Sequence, residues 1–323
     1  MQEQDVVSIE YLENTERFAD LLNGYVFAGK QVIKPQDIQE RNRVITKRRA
    51  QKLESKVVIR DVMRKVFFGM NVVVISLENQ TDIHYAMPVR VLSAEAVIYE
   101  KQWKERQEEH REKKDLKGAE FVSGFAKDDK LLPTFTIVVY FGSKPWDGPR
   151  SLKDMLNLSG LPEYIKDMIA DYPMHLLEVR KYPHLEYFQT DLKYVFGFLQ
   201  HATDKEALAE YVAENTEQFS NMNEEAYDMI ACMSKSKELK LIKRKYQKEE
   251  GERVDMCQAI KDMIADGRDD GIRIGEKRGV KRGVKQGIEL TKSIFKANAA
   301  GKSNQEIARE FNISVSKVKE ILA

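Results

Sequence analysis

With 323 residues the chain is long enough for two domains, or for one domain with appendages and a sizeable core. Its 53 Lys and Arg against 52 Asp and Glu leave a formal net charge of +1, which excludes a global field that would announce a nucleic-acid or membrane partner. The only two cysteines, Cys232 and Cys257, lie in a helical region without metal-ligand spacing and exclude a disulfide framework or zinc site. No apolar stretch approaches the roughly 20 residues needed to span a bilayer, so no membrane partner is expected. The opening MQEQDVVSIEYLENTERF lacks a basic region before an apolar run, and a cytoplasmic chain without signal peptide is expected.

Residues 9–24, IEYLENTERFADLLNG, place Leu12, Phe18, Leu21 and Leu22 on one face of a helix, with Gly24 as its stop. The stretch that follows is polar and basic. Residues 41–65 hold ten Lys or Arg against Glu54 and Asp61, and the acidic counterweight lies further on, as in TDKEALAEYVAENTEQ at 203–218. Overall neutrality therefore conceals a basic surface suited to phosphate contacts, with a solvated basic helix as the alternative.

KVVIRDVMRKV, a Gly69-Met70-Asn71 turn and VVVISLENQ read as two strands joined in a hairpin. A helix follows, with Thr81 or Asp82 as N-cap and Tyr85, Val89, Leu92, Ala96 and Tyr99 as its buried face. Pro88 fits early in that helix, and its charged tail faces solvent. FTIVVYFG, 135–142, is another buried strand, closed by the turn-rich SKPWDGP. From residue 151 the pattern is helical to about 250, apart from a short strand candidate in MHLLEVRKY, 174–182. The element order is that of an α/β layer fold followed by a helical C-terminal region.

Near the C-terminus glycine recurs every fourth residue, at Gly267, Gly271, Gly275, Gly279, Gly283 and Gly287. A lone helix there is poor, because each glycine costs about 1 kcal/mol relative to alanine. A glycine stripe flanked by Ile272, Val280, Val284 and Ile288 instead suits close approach of another helix, with a right-handed crossing, and so a homo-oligomer through the Gly267–Gly287 helix. The interleaved Lys277, Arg278, Lys281, Arg282 and Lys285 exclude the membrane version, and a flexible basic linker is the alternative. The last 22 residues, KSNQEIAREFNISVSKVKEILA, have the layout of a helix-turn-helix. Ile307, Ala308 and Phe311 form one face, Val318, Ile321 and Leu322 the second, and Ser314 caps a helix that offers Ser316, Lys317 and Lys319 to DNA. A packing pair of helices with no DNA role is the alternative.

The chemistry concentrates where an apolar strand, Val72 to Leu77, ends in Glu78-Asn79-Gln80. The hairpin brings Asp61 and Glu78 to strand ends that face each other. With no compensating buried base between them, two such carboxylates repel, and a divalent cation removes that cost. Mg²⁺, or Mn²⁺ in its place, takes one or two carboxylates and substrate phosphate. Strand alternation puts Gln80 on the same face as Glu78 and turns Asn79 away. Asp61 and Glu78 are thus candidate metal ligands, and Gln80 a candidate for orienting the attacking water in phosphodiester hydrolysis. A solvated strand edge is the plainer reading of the same pair. Asp147 is a weaker catalytic candidate, and Trp146-Asp147-Gly148-Pro149 reads as a structured turn. His84 reads as a first-turn residue of the following helix, and the other histidines have no partners in sequence.

RDVMRKVFFGMNVVVISLENQTDIHYAMPVRV, residues 60–91, resembles the core of the recombination-promoting nuclease and transposase (Rpn) family within the PD-(D/E)XK nuclease superfamily. YFGSKPWDGPRSLKDML, 140–156, resembles the segment that follows that core, and RFADLLNGYVFAGK, 17–30, its first helix. Together these span most of residues 10–160, and a glycine-repeat tail also suits the family. The resemblance implies an αβββαβ-type, restriction-endonuclease-like core, Mg²⁺-dependent DNA cleavage and a link to recombination or mobile elements. Asp61 then matches the metal-binding aspartate and Glu78 the acid of the second motif. Gln80 stands where the superfamily has lysine, and residue 60 is Arg rather than Pro. The resemblance also implies an assisting acid on the first helix, Asp20, with Glu16 as the alternative. The chain then divides into a nuclease-like core, 1–160, a helical domain, 161–260, a self-association helix, 261–290, and a helix-turn-helix-like tail, 291–323. A DNA-binding or assembly protein that keeps the fold without the chemistry is the second reading.

Overall fold

In a computed structural model, which describes residues 3–40, 44–47, 56–59, 61–248 and 253–323, the chain forms two compact units, 1–259 and 260–323. The first opens with two helices where the sequence suggests one: α1 (Glu3–Glu13) and α2 (Thr15–Tyr25). Asn14 breaks them, because its side-chain oxygen accepts from the N–H groups of Glu16 and Arg17 and starts a new helix. Leu12, Phe18, Leu21 and Leu22 are fully buried, as their spacing predicts. Gly24 is not the stop. It lies inside α2, where a Cβ would fall 2.3 Å from the Phe188 ring, so its role is close approach.

Short strands β1 (Ile38–Glu40), β2 (Val44–Lys47) and β3 (Lys56–Ile59) precede the hairpin of β4 (Val62–Phe68) and β5 (Asn71–Gln80). The expected strand over 56–66 is therefore two strands: β3 pairs with β2 in a separate ladder, and β4 begins only after Asp61. Much of the basic tract at 41–65, including Arg60, lies outside the described residues. The hairpin turn is tight, with Phe68 opposite Asn71 and Gly69 at φ +63.

Helix α3 (Met87–Lys113) starts at Met87 rather than at Thr81 or Asp82, with Pro88 in its first turn where a missing N–H costs nothing. Its buried stripe runs through Met87, Val91, Ala94, Glu95, Ile98 and Gln102. The predicted face is displaced from this one: Tyr85 and Val89 are 60% and 44% exposed. Two polar residues disguise the true stripe. Glu95 accepts from the Tyr172 hydroxyl, and Gln102 bonds the backbone of Leu132 in both directions, at 2.7 and 3.2 Å.

After α4 (Gly118–Ser123) come β6 (Thr134–Tyr140), α5 (Glu163–Met168) and β7 (His175–Glu178). These complete a five-stranded mixed sheet of order β1-β4-β5-β6-β7, antiparallel at β1-β4-β5 and parallel at β5-β6-β7. The fold is mixed α/β. Met63, Val74 and Val138 on one sheet face pack against Val97, Ile98, Met87 and Val91 of α3. Asn79 on the other face donates to Ser8 of α1 at 3.1 Å.

Helices α6 (Leu192–His201), α7 (Lys205–Glu214), α8 (Thr216–Ser220), α9 (Glu224–Met233) and α10 (Lys237–Tyr246), with the two-residue ladder β8 (Met222–Asn223) and β9 (Arg253–Val254), belong to the same compact unit. Arg17 ties them to α2. Its guanidinium grips Asp191 with two bonds of 2.8 Å, donates to Glu225 and lies 4.1 Å from the Tyr11 ring centroid.

His110, near the end of α3, bonds Asp115 through Nδ1 and Asp129 through Nε2, each at 2.8 Å. These hydrogen bonds, Asp115's first, raise its pKa above the ordinary 6.5. The clasp they form on residues 115–129 is complete below pH 6.5 and is lost as pH rises through the raised value. We expect protection of the Ala126 amide, which donates to Asp129, to fall over that rise once intrinsic exchange is corrected for. In His110→Ala the amide should show no such step. A wild-type profile as flat as the variant's would contradict this.

Helix α11 (Met256–Ala299), nearly all of it in the second unit, is followed by α12 (Asn304–Glu310) and α13 (Val315–Leu322). At about 1.5 Å per residue its 44 residues extend about 66 Å. Gly267 to Gly287 all lie within it, and among the described residues none would bring a Cβ within 4 Å of a group outside the helix's own backbone. Ile294, Ala297, Ile307, Ala308 and Val318 form a small three-helix core, with Phe311, Ile321 and Leu322 packed against it. Ser314 caps α13 as expected, accepting from the Lys317 N–H at 3.1 Å. No helix among the described residues is long and apolar enough to cross a membrane.

Candidate active site at the end of the central strands

Val62 pairs with Leu77, so the next step of the register sets Asp61 across from Glu78. Asp61 thus lies immediately before β4 rather than at the end of a strand. The pairing holds because β4 and β5 are antiparallel and the foot of one meets the tip of the other. Asp61 Oδ2 accepts from the Asn79 N–H at 2.6 Å, which fixes its carboxylate beside the Glu78–Gln80 segment.

Glu78 is 3% exposed, and its Oε1 accepts from Gln80 Nε2 at 3.3 Å and from Arg90 Nη2 at 2.7 Å. Gln80 therefore shares Glu78's face, and Asn79 turns to α1, as alternation predicts. Glu78 nonetheless has a cationic partner from outside the hairpin: Arg90, in the first turns of α3. The Arg90 side chain is 46% exposed and that of Glu78 4%, so the ion pair joins a wall residue to one that reaches solvent.

Asp5, Asp61, Glu78, Gln80, Asp82 and Arg90 line a recess of about 290 Å³. It sits at the carboxyl end of β5, the side on which open α/β sheets bind ligands. Asp20 is not part of it. Its carboxylate is 3% exposed and accepts from the Gln189 and Thr190 N–H groups and the Thr190 hydroxyl, at 2.6 to 2.9 Å. That is a clamp on the loop before α6. Glu16 is an exposed first-turn residue of α2. Asp5 of α1 is the first-helix acid that reaches the recess, and nothing in its sequence context distinguishes it. Arg90 carries a faint signal, a cation one turn into the helix that follows the strand.

Asp147 accepts from the Tyr85 hydroxyl at 3.1 Å, outside this recess. Trp146 is 6% exposed, and its indole N–H donates to the Gly148 carbonyl at 2.9 Å, which makes the predicted turn. His84 Nδ1 accepts from the Ala86 N–H at 3.2 Å and serves the turn before α3.

No cluster of three or more His, Cys, Asp or Glu side chains arranged to share a metal ion occurs among the described residues. The donors of the recess are nonetheless hard oxygens, two of them the facing carboxylates Asp61 and Glu78. This donor set fits Mg²⁺ or Mn²⁺, which need only one or two protein carboxylates when phosphate and water complete the shell. Neither a scan of protein-family models nor searches of curated proteins and of solved structures finds a match to this chain.

Proposed function

We propose that the chain is a metal-dependent DNA endonuclease of the PD-(D/E)XK type, related to the Rpn family and acting in the cytoplasm in recombination or with mobile elements. One observation carries this reading: Asp61, from before β4, and Glu78 and Gln80, from the end of β5, line one recess at the carboxyl end of a strand that runs parallel to β6. Asp61 and Glu78 would hold the ion, and bound Mg²⁺ or Mn²⁺ would supply polarisation of the scissile phosphate and a water of lowered pKa.

The chain's own groups have defined tasks. Arg90 meets the phosphate and neutralises charge there, supplying the cation that Gln80 in the lysine position lacks. Gln80 orients the attacking water through its amide. The Asn79 N–H keeps the Asp61 carboxylate in place as substrate arrives. The exposed glycine stripe of α11 supports self-association, and the capped α12–α13 pair supports a second, weaker hold on DNA.

The Arg90–Glu78 pair also favours a second reading, a DNA-binding or assembly protein without the chemistry, because it satisfies Glu78 without an ion. Titration with Mn²⁺ followed by electron paramagnetic resonance separates the two. The nuclease reading expects about one tight site per chain, weakened about 10-fold or more by Glu78→Gln. Equal binding by wild type and Glu78→Gln would favour the second reading.

A further inference from the structure

Beside the acidic recess, and sharing Thr81 and Asp82 with it, lies a larger cleft of about 830 Å³. One wall is the loop after β6, carrying Lys144. The other is formed where α6 and α9 end, carrying Lys235. Both lysines are exposed, and neither pairs with a carboxylate among the described residues.

Arg180 lines the same cleft. It donates to the carbonyls of Phe141 at 2.9 Å and Met233 at 3.1 Å, and to that of Leu199. Two of those carbonyls belong to the last turns of α6 and α9, so the guanidinium caps two helix ends with dipoles rather than with an acid. Its remaining N–H groups have no partner among the described residues. Burial lowers its pKa, as expected of a cation without a carboxylate beside it.

Two acids also line the cleft. Asp82 stands on the lip shared with the recess, and Asp147 is engaged by the Tyr85 hydroxyl. Tyr85 itself lines the cleft and is 60% exposed. Cations along a recess and an exposed ring at its mouth are the elements of single-strand binding, with phosphates tracking the charges and a base stacking on the ring. The volume, about 830 Å³, is that of a small-molecule pocket and gives room for a short length of one strand.

We infer that this cleft binds an unpaired DNA strand leading away from the phosphate at Asp61 and Glu78, so that the substrate is DNA carrying a single-stranded segment. The inference rests on the nuclease reading for what happens in the neighbouring recess. It names the kind of DNA that reading leaves open.

The test is fluorescence anisotropy of the full chain with a labelled single-stranded oligothymidylate and a blunt duplex of equal length. It is run in EDTA so that binding is read without cleavage. The single strand is expected to bind more tightly than the duplex. Lys144→Ala with Lys235→Ala should weaken single-strand binding about 10-fold or more and flatten its log–log salt slope by about 1.4, at about 0.7 for each phosphate no longer neutralised. Tyr85→Ala should weaken it about 5-fold or more and leave the slope unchanged. Thermal melting of each variant checks the fold, and the lysines, being exposed, are expected to be neutral there.

Single-strand binding that ignores both lysines, or a duplex bound as tightly as the strand, would overturn the inference. The failure of each idea is recognisable on its own. A chain that binds strand through these residues yet nicks nothing retains the cleft and loses the nuclease. A chain that nicks while its binding ignores Lys144 and Lys235 does the reverse.

Discussion

Asp61→Asn is expected to reduce metal-dependent DNA nicking by about 100-fold or more, the scale of removing one preorganised electrostatic interaction. The substitution is close to isosteric. The asparagine oxygen can still accept from the Asn79 N–H, the 2.6 Å bond that places the side chain. What disappears is the negative charge, and with it one of two carboxylates able to hold a divalent ion. Melting is therefore expected to stay near wild type while activity falls. Asp20→Asn makes the contrast. Asp20 holds three donors of residues 189 and 190, so its replacement should lower stability and leave the chemistry of the surviving folded protein unchanged. Should Asp61→Asn nick at the wild-type rate, the ligand role of Asp61 would be lost.

Arg17→Ala carries the largest expected effect on stability. Arg17 is 5% exposed and bonds Asp191 bidentately, Glu225 and the Tyr11 carbonyl. Burial works against its charge, yet the hydrogen bonds and charge of Asp191 hold its pKa above the ordinary value. Removing one partner of a buried pair costs about 3–5 kcal/mol, because the other is left uncompensated. Asp191 and Glu225 are 24% and 51% exposed, so water recovers part of the loss and the lower end, about 3 kcal/mol, applies. For a unit of this size that lowers Tm by about 6–12 °C. Arg17→Lys keeps the charge but not the fork and should fall between. A loss below about 1 kcal/mol for Arg17→Ala would mean that the network adds little net stability.

Some of this is legible in the sequence for clear reasons. A β-branched run, a Gly-Met turn and a second run specify the β4–β5 hairpin locally, and alternation alone puts Glu78 and Gln80 on one face and Asn79 on the other. The helix-turn-helix-like tail is equally local, since Ser303 and Ser314 cap helices within three residues of themselves. Other features depend on contacts that no local pattern carries. Asp20 looks like an active-site acid in sequence and is in fact bonded to residues 169 and 170 positions away. The α3 stripe escapes a periodic reading because Glu95 and Gln102 belong to it. A buried polar residue with a partner looks like a surface residue until its partner is known. Arg90 and Asp5 reach the recess from two different helices, a convergence set by packing rather than by spacing.

The most direct measurement is nicking of supercoiled plasmid by the purified full chain with Mg²⁺, with Mn²⁺ and with EDTA, beside Glu78→Ala. Metal-dependent nicking, abolished by EDTA and reduced to background by Glu78→Ala, is the predicted result. Nicking equal in wild type and Glu78→Ala, or absent from both while each still shifts DNA on a gel, would contradict the account.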